Sequence, residues 1–308
     1  MSEAALHPAP GWGAVAREQF RAVGLATRRE WLLFALGLVA LTVLLLVSYQ
    51  RARAEGGKLD FDFTPTIAIP LMFLGFVAPF SVWKGMEPSR RGYLWALPVE
   101  RGGHTLLRSF HGWLWFMALI AAYLLWALAM AWVTGGDLGV ERQRVLLADM
   151  SETGRAVGST EHLQVVLADP ASWRELRWVV PAWMWAVPFV AGTATYLLGS
   201  IVVLASDHPW RWFAGILVGF FLLLAVSEAA ELKGLKALLE TVFGGRWGME
   251  MLIEGTHDVA QTFTNRAGEV VQRNVERPAL GRWLATAALW LGIGTAGTLL
   301  AGLRHQER

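Results

Sequence analysis

Three small constellations in this sequence carry groups able to do chemistry. His104 and His111 stand seven residues apart, which on one helix gives them a shared face but about 10 Å of separation along the axis. Two ligands to one metal ion on a helix need a spacing of three or four. The pair therefore reads as two histidines at a helix end rather than a metal or haem site. Glu228 and Glu231 stand three apart, again on one face, where paired carboxylates could exchange protons or hold a cation. A solvated helix end accounts for them equally well. Ser206, Asp207 and His208 gather a hydroxyl, an acid and a base, but sequence neighbours seldom face one another productively, and the following Pro209 marks a turn. No phosphate-binding G-x-x-x-x-G-K-[ST] loop, no H-E-x-x-H and no G-x-S-x-G occurs, so the chain does not bind ATP through that loop itself. Cysteine is absent, which excludes disulfides, thiolate metal sites and cysteine nucleophiles.

The elements that would position these groups follow from composition. Of 308 residues, 55% are hydrophobic and 17% charged, against about 25% charged in ordinary globular domains. The charge deficit is concentrated in runs. A bilayer-spanning helix needs roughly 20 mostly apolar residues, and six runs qualify: 31–49, 65–83, 110–134, 178–204, 212–228 and 283–303. The expected fold class is an all-α integral membrane protein with six transmembrane helices. An N-terminal amphipathic interfacial helix precedes them, and short re-entrant or extracellular helical pieces follow span five. The polar lead before the first run is too long for a signal peptide, so that run reads as a retained span. Prolines 65, 70, 79, 181 and 188 predict kinks. Trp31, Trp83, Trp113, Trp132, Trp178, Trp212 and Trp283 sit near run ends, as in an aromatic belt. Buried intramembrane charge, the usual mark of an ion-coupled carrier, is missing from the runs. In the last run Gly294, Thr298 and Gly302 repeat every four residues, a spacing that lets helices approach closely; packing within the subunit is favoured over a dimer seam.

Orientation follows from the basic residues of the connections. With both termini cytoplasmic, the inner connections carry an excess of base over acid and the outer ones an excess of acid. Within residues 1–30, the apolar Trp12, Val15, Phe20 and Val23 fall roughly on one helical face, with Arg17, Arg21, Arg28 and Arg29 elsewhere, which predicts a cytoplasmic amphipathic segment lying on an anionic membrane surface. Residues 31–308 form the six-span domain. Two long extracytoplasmic loops, 135–177 and 229–282, complete it. The first reads as polar helix-like pieces and contains the echo Val145–Asp149 and Val165–Asp169. The second reads as two short helical segments split at Gly244-Gly245, then a hairpin-like alternation around Asn265–Gly268. The net charge of +2 gives no argument for nucleic acid.

The basic connection 84–108 stands apart. Tyr93, Leu94 and Trp95 lie beside Arg90 and Arg91, and a short helix stopped by Pro98 would present them as an anchor cluster for a partner. The segment Leu97-Pro98-Val99-Glu100-Arg101, followed by His104 to Arg108 and a long span, resembles the type-two ABC exporter permease family. That family carries a leucine-proline-valine-serine-arginine-like segment in the connection between spans two and three, then a basic residue before span three. Glu100 takes the serine-like position, and Arg108 the place usually filled by lysine. The six-span layout with an amphipathic lead matches over most of the chain, whereas the 135–177 loop is longer than the family pattern. The resemblance implies a multi-pass protein of a bacterial-type inner (cytoplasmic) membrane that works as one of two permease subunits, in a homo- or heterodimer. Cytoplasmic ABC ATPase subunits would carry the ATP and Mg, this chain holding no cofactor of its own. The coupling residues would be Arg90, Arg91, Tyr93, Leu94, Trp95, Pro98, Glu100 and Arg101. Charge-free spans suit a hydrophobic or amphipathic substrate. The other readings of the residues are an intramembrane hydrolase or transferase using Glu228, Glu231 or Asp207-His208, and a non-catalytic membrane scaffold or sensor.

Overall fold

The architecture comes from a computed structural model, which describes residues 12–57, 59–84, 101–147, 172–229, 232–244, 247–265 and 268–307. Helices α1 (Trp12–Ala26), α2 (Arg28–Ala54), α3 (Ile69–Val82), α4 (Arg101–Thr134), α5 (Val187–Ala205), α6 (Pro209–Ala229) and α9 (Leu280–Glu307) build the bundle. Short α7 (Lys233–Leu239) and α8 (Met249–Glu254) follow α6. Six helical stretches are long and apolar enough to cross a membrane: Arg28–Ala54, Pro65–Val82, Gly103–Thr134, Ala182–Ala205, Pro209–Ser227 and Leu280–Arg304. Each overlaps one of the six apolar runs.

The core is organised around α5. Of its apolar window 61% is buried, against none for α2 and 6% for α6. Composition explains this. Ala191, Gly192, Ala194, Thr195, Gly199 and Ser200 give α5 a surface of small residues, along which neighbouring backbones come close. A Cβ on Gly199 would strike the Phe76 carbonyl of α3, and one on Gly294 would lie 2.8 Å from Leu197 Cβ. Large side chains fill the remaining space, with Met72, Ile120, Tyr196 and Leu252 fully buried. Thr298 donates to the Leu197 carbonyl at 3.1 Å, so the Gly294 and Thr298 face of α9 packs on α5 of the same chain. Gly302 comes nearest to Thr105 of α4.

Several expectations need correction. Of the five prolines expected to kink, only Pro79 lies inside a helix; Pro65, Pro70 and Pro188 open helical turns and Pro181 precedes one. The first turn of a helix has no use for the missing N–H, so proline starts helices here more than it bends them. Trp132 and Trp212 are exposed as a belt requires, but Trp283 is buried and donates to the Leu252 carbonyl at 3.2 Å.

Where 135–177 is described, a turn and two strands stand in place of helical pieces; residues 148–171, with the Val165–Asp169 echo, lie outside the described residues. β1 (Val140–Leu146) pairs antiparallel with β2 (Trp173–Val179), from Val140↔Val179 to Leu146↔Trp173. β3 (Thr256–Thr264) pairs with β4 (Val270–Pro278), from Thr256↔Pro278 to Thr264↔Val270. The hairpins pack together over Val145, Phe263, Val271 and Val275. Arg273 Nε donates to the Leu146 carbonyl at 2.8 Å, and the Glu276 amide donates to Gln143 Oε1 at 3.0 Å. Arg142 ties this cap to the bundle through Asp137 and Asp62. The helical bundle thus carries a β cap at one end, while both described termini, the end of α3 and the start of α4 lie at the other.

Candidate coupling site at the shared end of the bundle

Helix α1 docks on the first turns of α4. Val23 is fully buried, the Phe20 ring stacks on Trp115 at 5.1 Å and meets His111 edge-on at 5.7 Å, and Gln19 Nε2 lies 2.6 Å from His104 Nε2. The outer side of α1 exposes Arg17 and Arg21, and Arg28 and Arg29 are exposed at the elbow into α2. His104 and His111 are therefore contact residues between α1 and α4. Among the described residues no group of three or more His, Asp or Glu is placed to hold a metal ion.

The third span starts earlier than its apolar run. α4 begins at Arg101, and its spanning stretch opens at Gly103, so Arg108 lies within the helix and is only 6% exposed. The expectation that the spans hold no buried charge is overturned here. Arg108 Nε and Nη2 donate to the Val82 carbonyl at 3.0 and 2.7 Å, and its guanidinium lies 5.5 Å from the Trp83 ring centre. Val82 ends α3, where carbonyls lack helical partners and favour a cation. One residue earlier, Ser81 donates to Glu30 Oε1 of α2 at 2.9 Å. Beside Arg108, the Tyr196 hydroxyl donates to the Ser109 carbonyl at 2.9 Å, tying α5 to the same place. Four helices and α1 thus meet at the tip of α3. Arg90, Arg91, Tyr93, Leu94, Trp95, Pro98 and Glu100 lie outside the described residues, between this tip and the start of α4. Of the expected coupling residues Arg101 alone lies in a described element, as the first residue of α4.

The remaining candidates lie elsewhere. Asp207 and His208 sit in the α5–α6 turn beside a cavity of about 440 Å³. There the His208 amide donates to Ser206 Oγ at 3.1 Å, an ordinary turn contact. Glu228 belongs to the last turns of α6, and Glu231 lies outside the described residues. Sequence inspection missed a cavity of about 280 Å³ at the cap end, lined by Glu250, Glu254, His257, Asp258, Glu276 and Arg282. Burial, then the neighbouring carboxylates, pushes Glu254 and Glu276 above the usual glutamate range. The acids come from α8, β3 and β4, so no spacing in the sequence announces them.

Six helices of spanning length and apolarity around a small-residue core make this a multi-pass membrane protein. Comparison with family models, with curated proteins and with solved structures gives no match for the chain.

Proposed function

We propose that the chain is the membrane-spanning permease subunit of an ATP-driven exporter, resembling the type-two ABC permeases, and that ATP is hydrolysed by separate cytoplasmic subunits. One observation carries the reading. Arg101, the last residue of the Leu97–Arg101 segment, is the first residue of α4, and it enters the bundle where α1, α2, α3 and α5 converge. A push on the connection 84–108 would act on all of them. In this reading that end faces the cytoplasm, and α1 lies on anionic lipid through Arg17, Arg21, Arg28 and Arg29. Helices α2 and α6, the least buried spans, have apolar faces free for lipid and a second permease subunit. The apolar lining suits a hydrophobic or amphipathic substrate.

The test is affinity purification from the native membrane in mild detergent, with mass spectrometry and an ATPase assay. The parent is compared with a Tyr93→Ala/Leu94→Ala/Trp95→Ala variant. Co-purification of a soluble ATPase that the folded variant loses or uncouples is the expected result. An intact, folded chain with no nucleotide-binding partner would overturn the reading and turn attention to the cap-end carboxylates.

A further inference from the structure

The last turn of α3 stands between two opposite charges. On one side, Ser81 donates to Glu30 Oε1 at 2.9 Å, while Glu30 Oε2 is buried and accepts no hydrogen bond from the described residues. On the other, the Val82 carbonyl takes two N–H groups of Arg108. No carboxylate lies within ion-pair distance of Arg108 among the described residues. The Ser81 side chain leaves the helix sideways and meets α2, while the Val82 carbonyl lies along the axis at the open helix end, where Arg108 of α4 meets it. A hydroxyl and a carbonyl are neutral partners. Between a half-buried carboxylate and a buried guanidinium, direct charge-assisted pairing is a stronger contact than either makes with a neutral partner. Removing one partner of a buried charge is in turn strongly unfavourable unless another replaces it. Each charge grips one of two neighbouring residues of the same helix tip.

We propose that the tip of α3 is a removable wedge, and that Glu30 and Arg108 close on each other as an ion pair when it withdraws, clamping α2 to α4. The chain leaves α3 directly into the 85–100 connection, so displacement of that connection is the natural way to draw the wedge out. This step rests on the coupling role given to the connection under Proposed function. Packed elements of this kind switch between discrete arrangements rather than deform continuously. Glu30 and Arg108 are positioning residues: they set the spacing of α2 and α4 and need touch no substrate.

The chain has no cysteine, so spin labels can be attached to Arg29→Cys and Leu106→Cys, both at exposed positions on α2 and α4. Pulsed electron resonance then reads their separation in lipid nanodiscs. Ser81→Ala removes the bond that holds Glu30 to the wedge, and the isolated chain is expected to gain a shorter distance population. That population should vanish in Ser81→Ala/Arg108→Gln and return when the charges are exchanged by Glu30→Arg/Arg108→Glu. A distribution that does not change with Ser81→Ala, in a chain with parental thermal stability, overturns the wedge whether or not an ATPase exists. In the purified complex, ATP with vanadate should populate the same short distance. If Ser81→Ala shortens the distance but no ATPase co-purifies, the wedge stands and the exporter reading falls. If an ATPase is present and vanadate leaves the distance unchanged, the wedge is not the coupling device and the proposal fails in its stated role.

Discussion

Tyr196 is the largest fully buried side chain among the described residues, 1% exposed, and its hydroxyl donates to the Ser109 carbonyl. Tyr196→Phe keeps the ring and removes that bond, and should cost on the order of 1 kcal/mol. Tyr196→Ala leaves a cavity and should cost about 3–5 kcal/mol, as for other large aromatic truncations. Thermal unfolding in a fixed detergent checks both, and equal losses would show that the hydroxyl contributes most of the effect. Arg108 shows the limit of reading single residues from sequence. A cation two residues before an apolar run looks like an ordinary basic residue at a membrane edge. It is buried because α3 ends beside it with an unfilled carbonyl, a fact of three-dimensional arrangement that no local pattern carries. Gly294 and Thr298 were easier to read, since their four-residue spacing is the contact itself.

Helix crossings and the hairpin cap set the next scale. At the α3–α5 crossing a Gly199 side chain would meet backbone, the Phe76 carbonyl, which cannot move aside without moving α3. Gly199→Ala should therefore destabilise by about 1–3 kcal/mol, the usual cost of overpacking. Gly215→Ala and Gly219→Ala on α6, where an added methyl meets nothing within 4 Å, should leave the midpoint unchanged or slightly raised. The spans were legible because about 20 apolar residues in a row have one common explanation in a bilayer. The strands of the first hairpin were not. In Val140–Leu146 the run VERQRVL carries polar residues on both faces, Arg142 and Arg144 exposed on one and Glu141 and Gln143 half-buried beside Val145 on the other, so no clean apolar–polar alternation marks it. The cap also has a pH dependence of defined sign. Glu254 and Glu276 are raised by burial and by neighbouring carboxylates, so as pH rises they ionise in the unfolded chain before they do in the folded one. Their contribution to cap stability is full below the ordinary glutamate value of 4.5 and is lost as pH rises through the raised folded values. Hydrogen exchange at residues 256–278, corrected for intrinsic rates, should show stronger protection at pH 5 than at pH 7.5. Glu276→Gln should reduce that difference, and an unchanged profile would count against ionisation of this pair as its cause.

At the scale of the whole chain, six crossings bring both described termini to one end and the hairpin cap to the other. Cysteines placed one at a time at Arg17, Arg304 and Gln261, all exposed, test this directly with a membrane-impermeant maleimide. The first two should react from one side of the membrane and the third from the other. Under the proposed orientation Gln261→Cys is the one that reacts in intact cells. Labelling of all three from the same side would refute the six-span topology. The sequence made that topology readable through its runs and connections, whereas the convergence of α1, α2, α4 and α5 on the tip of α3 became visible only in three dimensions.

The two hairpins of the cap come from distant parts of the chain, yet Val145 of the first packs with Val275 of the second. During synthesis β1 emerges long before β4 is made, with the spans α5 and α6 between them. The first hairpin must therefore wait, with Val145 uncovered, until β3 and β4 have been made. Closure of the cap is a late event in maturation, and a chain stalled before β4 would present that uncovered side to the quality-control machinery.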